Sequence, residues 1–162
     1  MNNCHNKLAE KMRETIKKAG KLEVTANGDF TLEANDVVLF PGSVYGFATC
    51  LTEAEKQVLF QEASQKGLSR INNASDFKPI EGNLYPIYWG KDKRIGDRPY
   101  QHLKDPARTG AIRLSTYKAL KEKCICCAVV VVNDYDTVES VLRQAFPDLL
   151  KTTTKIQGKY NK

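Results

Sequence analysis

The run Cys124-Ile125-Cys126-Cys127-Ala128-Val129-Val130-Val131-Val132 constrains this chain more than any other segment. It is far shorter than the ~20 apolar residues that span a bilayer. Its β-branched tail suits a pleated surface covered on both sides. A chain carrying it folds around a buried strand. Two other apolar stretches are of the same kind: Val44 to Cys50, after a Pro-Gly break at 41–42, and Leu84 to Trp89. Three core strands therefore make a small central sheet, with the Tyr45 strand in its middle.

Helical signals surround these strands. Leu8, Met12 and Ile16 recur every fourth residue with lysines between them, which predicts an amphipathic helix from about Asn6 to Lys18, closed by Gly20. Leu22–Thr25 and Phe30–Glu33 flank Asn27-Gly28 and predict a β-hairpin. A short apolar piece follows at Val37–Phe40. Thr52-Glu53-Ala54-Glu55 is a capping box that opens a helix to about Gln65, ending at Gly67. The stretch 72–83 reads as loop. Pro99 fits the first turn of a helix to about Lys104, Ser115 caps another ending near Lys123, and Asp136 or Thr137 caps a last one, stopped by Pro147. The expected class is α+β: a mainly antiparallel three-stranded sheet flanked by helices. The expected organisation is an N-terminal helix and hairpin over 1–36, a main domain over 37–150 with an inserted helix at about 52–80, and a basic tail over 151–162.

Five cysteines are an odd number. Adjacent cysteines on a strand point to opposite faces and do not readily bridge. Cys124, Cys126 and Cys127 are therefore expected to be reduced thiols in a buried strand. A zinc site would have to draw on Cys4, His5 and Cys50. The opening residues 1–5 lack the apolar core of a secretory signal. A cytoplasmic protein without a membrane segment is expected.

The net charge is +6, and its location is specific. Ten basic residues and four acidic ones lie between Lys91 and Lys123, while the rest of the chain carries fifteen of each sign. A concentrated basic segment favours a polyanionic partner.

That segment begins with a motif. Tyr88-Trp89-Gly90-Lys91 ends one strand, Arg98 follows ten residues after Tyr88, and His102 four residues later. Upstream, Gly42-Ser43-Val44-Tyr45-Gly46 carries a second tyrosine, and downstream Glu139 lies at the start of the last helix. This ordered set resembles the GIY-YIG nuclease family, with 42 residues between the two tyrosines where the family's signatures usually lie closer. The longer spacing is similar to that of restriction-type members with an inserted helix. The resemblance implies catalytic roles for Tyr45, Tyr88, Arg98, His102 and Glu139. Glu139 would bind one Mg²⁺ (or Mn²⁺), and Lys91, Lys93 and Arg94 would contact phosphates. Pro99 puts Arg98 at a helix start rather than inside a helix, and the family's late asparagine has no clear counterpart near Lys151. The implied activity is metal-dependent hydrolysis of DNA phosphodiesters. Cutting both strands with one site per subunit would require a homodimer. The competing expectation is a non-catalytic nucleic-acid-binding module, with Tyr85, Tyr88, Trp89 and Tyr100 available for base stacking.

Overall fold

A computed structural model describes residues 2–20, 42–92, 114–132 and 134–152. The predicted hairpin at 22–33, the piece at 37–40 and the helix at 99–104 lie outside these residues. The elements in chain order are α1 (Asn2–Lys18), β1 (Ser43–Cys50), α2 (Glu53–Gln65), β2 (Leu84–Asp92), β3 (Cys126–Val131) and α3 (Tyr135–Ala145). The sheet order is β2-β1-β3 with both pairings antiparallel, so the architecture is α+β. No helix among the described residues is long and apolar enough to cross a membrane.

Strand alternation sends side chains to two cores. One face carries Tyr45, Phe47 and Tyr88 and is covered by Leu59 and Ala63 of α2, with Leu114, Tyr117 and Leu120. The other carries Val44, Ala48 and Trp89 and is covered by Leu8, Met12 and Ile16 of α1 and by Val138 and Leu142 of α3. The spacing of four puts the three α1 side chains on one stripe, and all three are fully buried. Each such burial stabilises by about 1.5–3 kcal/mol. A bulge between Phe47 and Ala48 shifts the β1–β2 register, so that Phe47 pairs with Tyr88 but Ala48 with Pro86.

Both outer strand edges carry a partner. On β2, the Leu150 N–H donates to Ile87 O (3.1 Å), and residues 149–151 pair in turn with 68–70 through Arg70 N to Leu149 O (2.6 Å) and Lys151 N to Leu68 O (2.6 Å). On β3, the Cys127 N–H donates to Nδ1 of His5, 3.1 Å away. The β2 edge is therefore not a bare template for further pairing.

Several expectations need correction. Residues 114–120 form two 3₁₀ turns, Leu114–Thr116 and Lys118–Leu120, instead of a helix capped by Ser115. Leu114, Tyr117 and Leu120 recur every third residue, the period at which a 3₁₀ turn stacks its side chains on one face, and all three are buried. The Glu62 carboxylate accepts from the N–H groups of Lys118 (2.8 Å) and Ala119 (3.1 Å), holding the second turn from outside. The last helix is capped by Asp134, whose side chain accepts from Thr137 N, rather than by Asp136 or Thr137. Cys126 is not a reduced thiol: it is bonded to Cys4 of α1, 122 residues away in sequence. The three free thiols are Cys50, Cys124 and Cys127.

Candidate active site

The site is built on two glycines. Tyr45 pairs with Gly90 and Gly46 with Trp89 across β1 and β2. A Cβ on Gly90 would overlap the Tyr45 ring, and one on Gly46 would overlap the Trp89 ring. Each ring therefore lies flat over the bare backbone of the neighbouring strand, Tyr45 on one face and Trp89 on the other. This is the physical reason why Gly follows Tyr45 in one strand and Trp89 in the next.

Tyr88 lies two residues before Gly90 and so shares the face that Tyr45 covers. The two phenol rings are 6.4 Å apart, centroid to centroid, at an interplanar angle of 44°. Both are deep, Tyr45 at 1% and Tyr88 at 6% exposure. Burial, foremost, pushes the Tyr88 phenol up to about 12; the Arg70 and Arg143 guanidinium groups pull it down, and the Glu139 and Asp148 carboxylates push it up. Tyr88 is therefore a hydrogen-bond donor at neutral pH and not a base.

α3 packs with Val138 and Leu142 on the Trp89 face. Glu139 and Arg143 are the next residues along the helix, and Arg143 reaches the outer edge of β2. Arg143 Nη2 donates to Trp89 O (2.5 Å), Nη1 to Glu139 Oε1 (3.1 Å) and Nε to Asp148 Oδ1 (3.0 Å). Asp148 is completely buried. It also accepts from Trp89 N (2.9 Å) and from Arg70 Nε (3.2 Å). Both arginines flank the Tyr88 ring, with guanidinium carbons 5.4 Å (Arg70) and 6.0 Å (Arg143) from its centroid. The buried carboxylate is thus satisfied by two cations and a backbone N–H.

Lys91 forms an ion pair with Asp136 in the first turn of α3. That bond holds the ammonium pKa up against the opposing effect of desolvation, and the Glu139 charge adds to it. Glu139 is thus felt electrostatically at both Tyr88 and Lys91. Of the side chains named from sequence, Tyr45, Tyr88, Lys91 and Glu139 are described. Arg98, His102, Lys93 and Arg94 lie outside the described residues.

The sequence reading missed Arg70, Arg143 and Asp148. Arg143 had a signal, since Glu139 and Arg143 stand at i and i+4 on a helix in the favourable order. Asp148 and Arg70 sit in irregular segments where only the folded chain brings them to β2.

Among the described residues, no group of three or more His, Cys, Asp or Glu side chains is placed to hold a metal ion. A magnesium ion keeps most of its waters and needs as little as one carboxylate plus phosphate oxygens. Glu139, a half-buried hard-oxygen donor with Oε1 on Arg143, fits that minimal requirement. Comparison with family models, with curated proteins and with solved structures found no match to this chain.

Proposed function

We propose that this chain is a metal-dependent DNA endonuclease. The observation that supports it is the pair of buried phenols on adjacent strands, 6.4 Å apart, with the Glu139 carboxylate acting on Tyr88 from the β2 edge. Phosphodiester hydrolysis needs a positioned water and donors or cations on the phosphoryl oxygens. Tyr88 keeps its proton and donates to a phosphoryl oxygen. Tyr45 orients the attacking water. Arg98 grips the phosphate through its fork of donors, and His102 assists proton transfer. Lys91, Lys93 and Arg94 hold the flanking backbone. Glu139 holds the divalent cation, which when bound supplies charge stabilisation to the leaving oxygen. The proposed setting is cytoplasmic, with DNA as partner and a homodimer for two-strand cutting. Such a setting keeps free thiols reduced, and the Cys4–Cys126 bond runs against it.

The test is supercoiled plasmid with Mg²⁺, with and without the substitution Glu139→Ala. Nicking that requires Mg²⁺ and is lost in the variant is the expected result. Arg98→Ala is expected to lower cleavage more than binding, because a transition-state contact acts on rate before affinity. No nicking at any divalent-ion concentration, with binding untouched by Glu139→Ala, would replace this reading with its competitor, a nucleic-acid-binding module without chemistry. One observation favours that competitor: Glu139 and Asp136 each already carry a cationic partner, Arg143 and Lys91.

A further inference from the structure

At the end of the sheet remote from Glu139, four cysteines gather on one face. The β1–β3 ladder ends with Ala48 opposite Cys126. Two residues beyond that pair stand Cys50, at the end of β1, and Cys124, which precedes β3, both exposed free thiols. The Thr49 hydroxyl donates to Cys124 O (2.9 Å) and keeps the two chain segments side by side beyond the ladder. Cys126 is bonded to Cys4 of α1 and is itself 1% exposed. A cavity of about 640 Å³ opens here, and Cys4, Cys50 and Cys124 line it together with Lys7 and Lys123. The disulfide-bonded Cys4 and two free thiols thus line one solvent-accessible space, while Cys126 is buried. The remaining thiol, Cys127, packs against the opposite core, and burial pushes it up to about 11.

We propose that Cys50 and Cys124 are a thiol–disulfide exchange pair that works on the Cys4–Cys126 bond. The Cys124 thiolate attacks Sγ of Cys4, the disulfide cysteine that lines the cavity. The Cys4–Cys124 bond forms and the Cys126 thiolate leaves. The Cys50 thiolate then attacks Cys124 Sγ, forming Cys50–Cys124 and releasing the Cys4 thiolate. The protons given up by Cys50 and Cys124 end on Cys4 and Cys126 through water. One disulfide and three free thiols exist at every stage, so no external oxidant or reductant is consumed. The result moves the covalent link from between α1 and β3 to between β1 and the approach to β3. The exchange is independent of the proposed nuclease activity.

The experiment uses the full chain carrying one disulfide, held without oxygen at mildly alkaline pH. Samples are acid-quenched, alkylated and mapped as unreduced peptides. Expected are Cys4–Cys124 and Cys50–Cys124 linked peptides that grow in while the count of three free thiols per chain stays constant. Cys50→Ser stops the series at Cys4–Cys124, Cys124→Ser leaves Cys4–Cys126 alone, and Cys127→Ser changes nothing. A map in which Cys4–Cys126 remains the sole link while Cys50 and Cys124 alkylate fully overturns the proposal. So does the appearance of new links only as the free-thiol count falls, since that is oxidation and not exchange.

Discussion

Tyr88 enters the fold neutral and stays so. Its acid dissociation is pushed up to about 12, against about 10 in an unfolded chain. Below pH 10 both states hold the proton and stability does not depend on it. Between pH 10 and 12 the unfolded state loses the proton first, so stability falls as pH rises through that window. The full shift corresponds to roughly 2–3 kcal/mol. Thermal melts from pH 9 to 12 are expected to decline, and Tyr88→Phe should flatten part of the decline. Tyr117, also raised by burial, supplies a further share that Tyr88→Phe leaves in place. The glycines make a second residue-scale prediction. Gly90→Ala forces a methyl group into the Tyr45 ring and should cost about 1–3 kcal/mol in urea unfolding, as overpacking does. The cost should shrink in a Tyr45→Ala background, which a double-mutant cycle would read directly. The tyrosines were legible in the sequence as a motif. That each faces a glycine was not, because the pairing register is a tertiary fact.

At the scale of elements, local chemistry was read well where it was local. The Thr52 side chain accepts from Glu55 N (3.2 Å) and Glu55 Oε1 accepts from Thr52 N (2.9 Å), as the spacing of three announces. The α1 stripe followed from Leu8, Met12 and Ile16, although the helix begins before Asn6, where Cys4 and His5 bind it to β3. The cap of α3 was misplaced because Asp134 and Asp136 stand two residues apart and have equal capping chemistry; the structure uses Asp134 for the cap and gives Asp136 to Lys91. The segment around Ser115 was misread because propensity does not reveal that its apolar residues face a core every third position. Asp148 ties three such elements together: the β2 edge, α3 and the loop of Arg70. Asp148→Ala leaves two guanidinium groups without their carboxylate and is expected to cost about 3–5 kcal/mol by chemical denaturation. A loss below about 1 kcal/mol would show that solvent replaces the carboxylate readily.

Over the whole molecule, the sheet class and its central strand could be anticipated from three apolar runs, whereas the covalent link between α1 and β3 could not. Cys4 and Cys126 are 122 residues apart, and no local spacing relates them. In the loop-closure account, a bridge across so long a loop stabilises by about 4–5 kcal/mol. Unfolding by urea with and without a reductant should show a loss of that order, with Cys4→Ser equivalent to reduction. α1 should remain on the sheet at low denaturant, because Leu8, Met12 and Ile16 hold it independently of the bond.

The crossed rings of Tyr45 and Trp89 have a consequence for how the strands find one another. A slide of β2 by two residues keeps inward and outward faces unchanged, so hydrophobic patterning alone would tolerate it. The same slide would set Tyr45 against Tyr88 or Asp92, and Trp89 against Val44 or Ala48, with no bare backbone beneath either ring. Only one alignment gives both rings a berth, so the two glycines act as a key that admits a single setting of the β1–β2 pair.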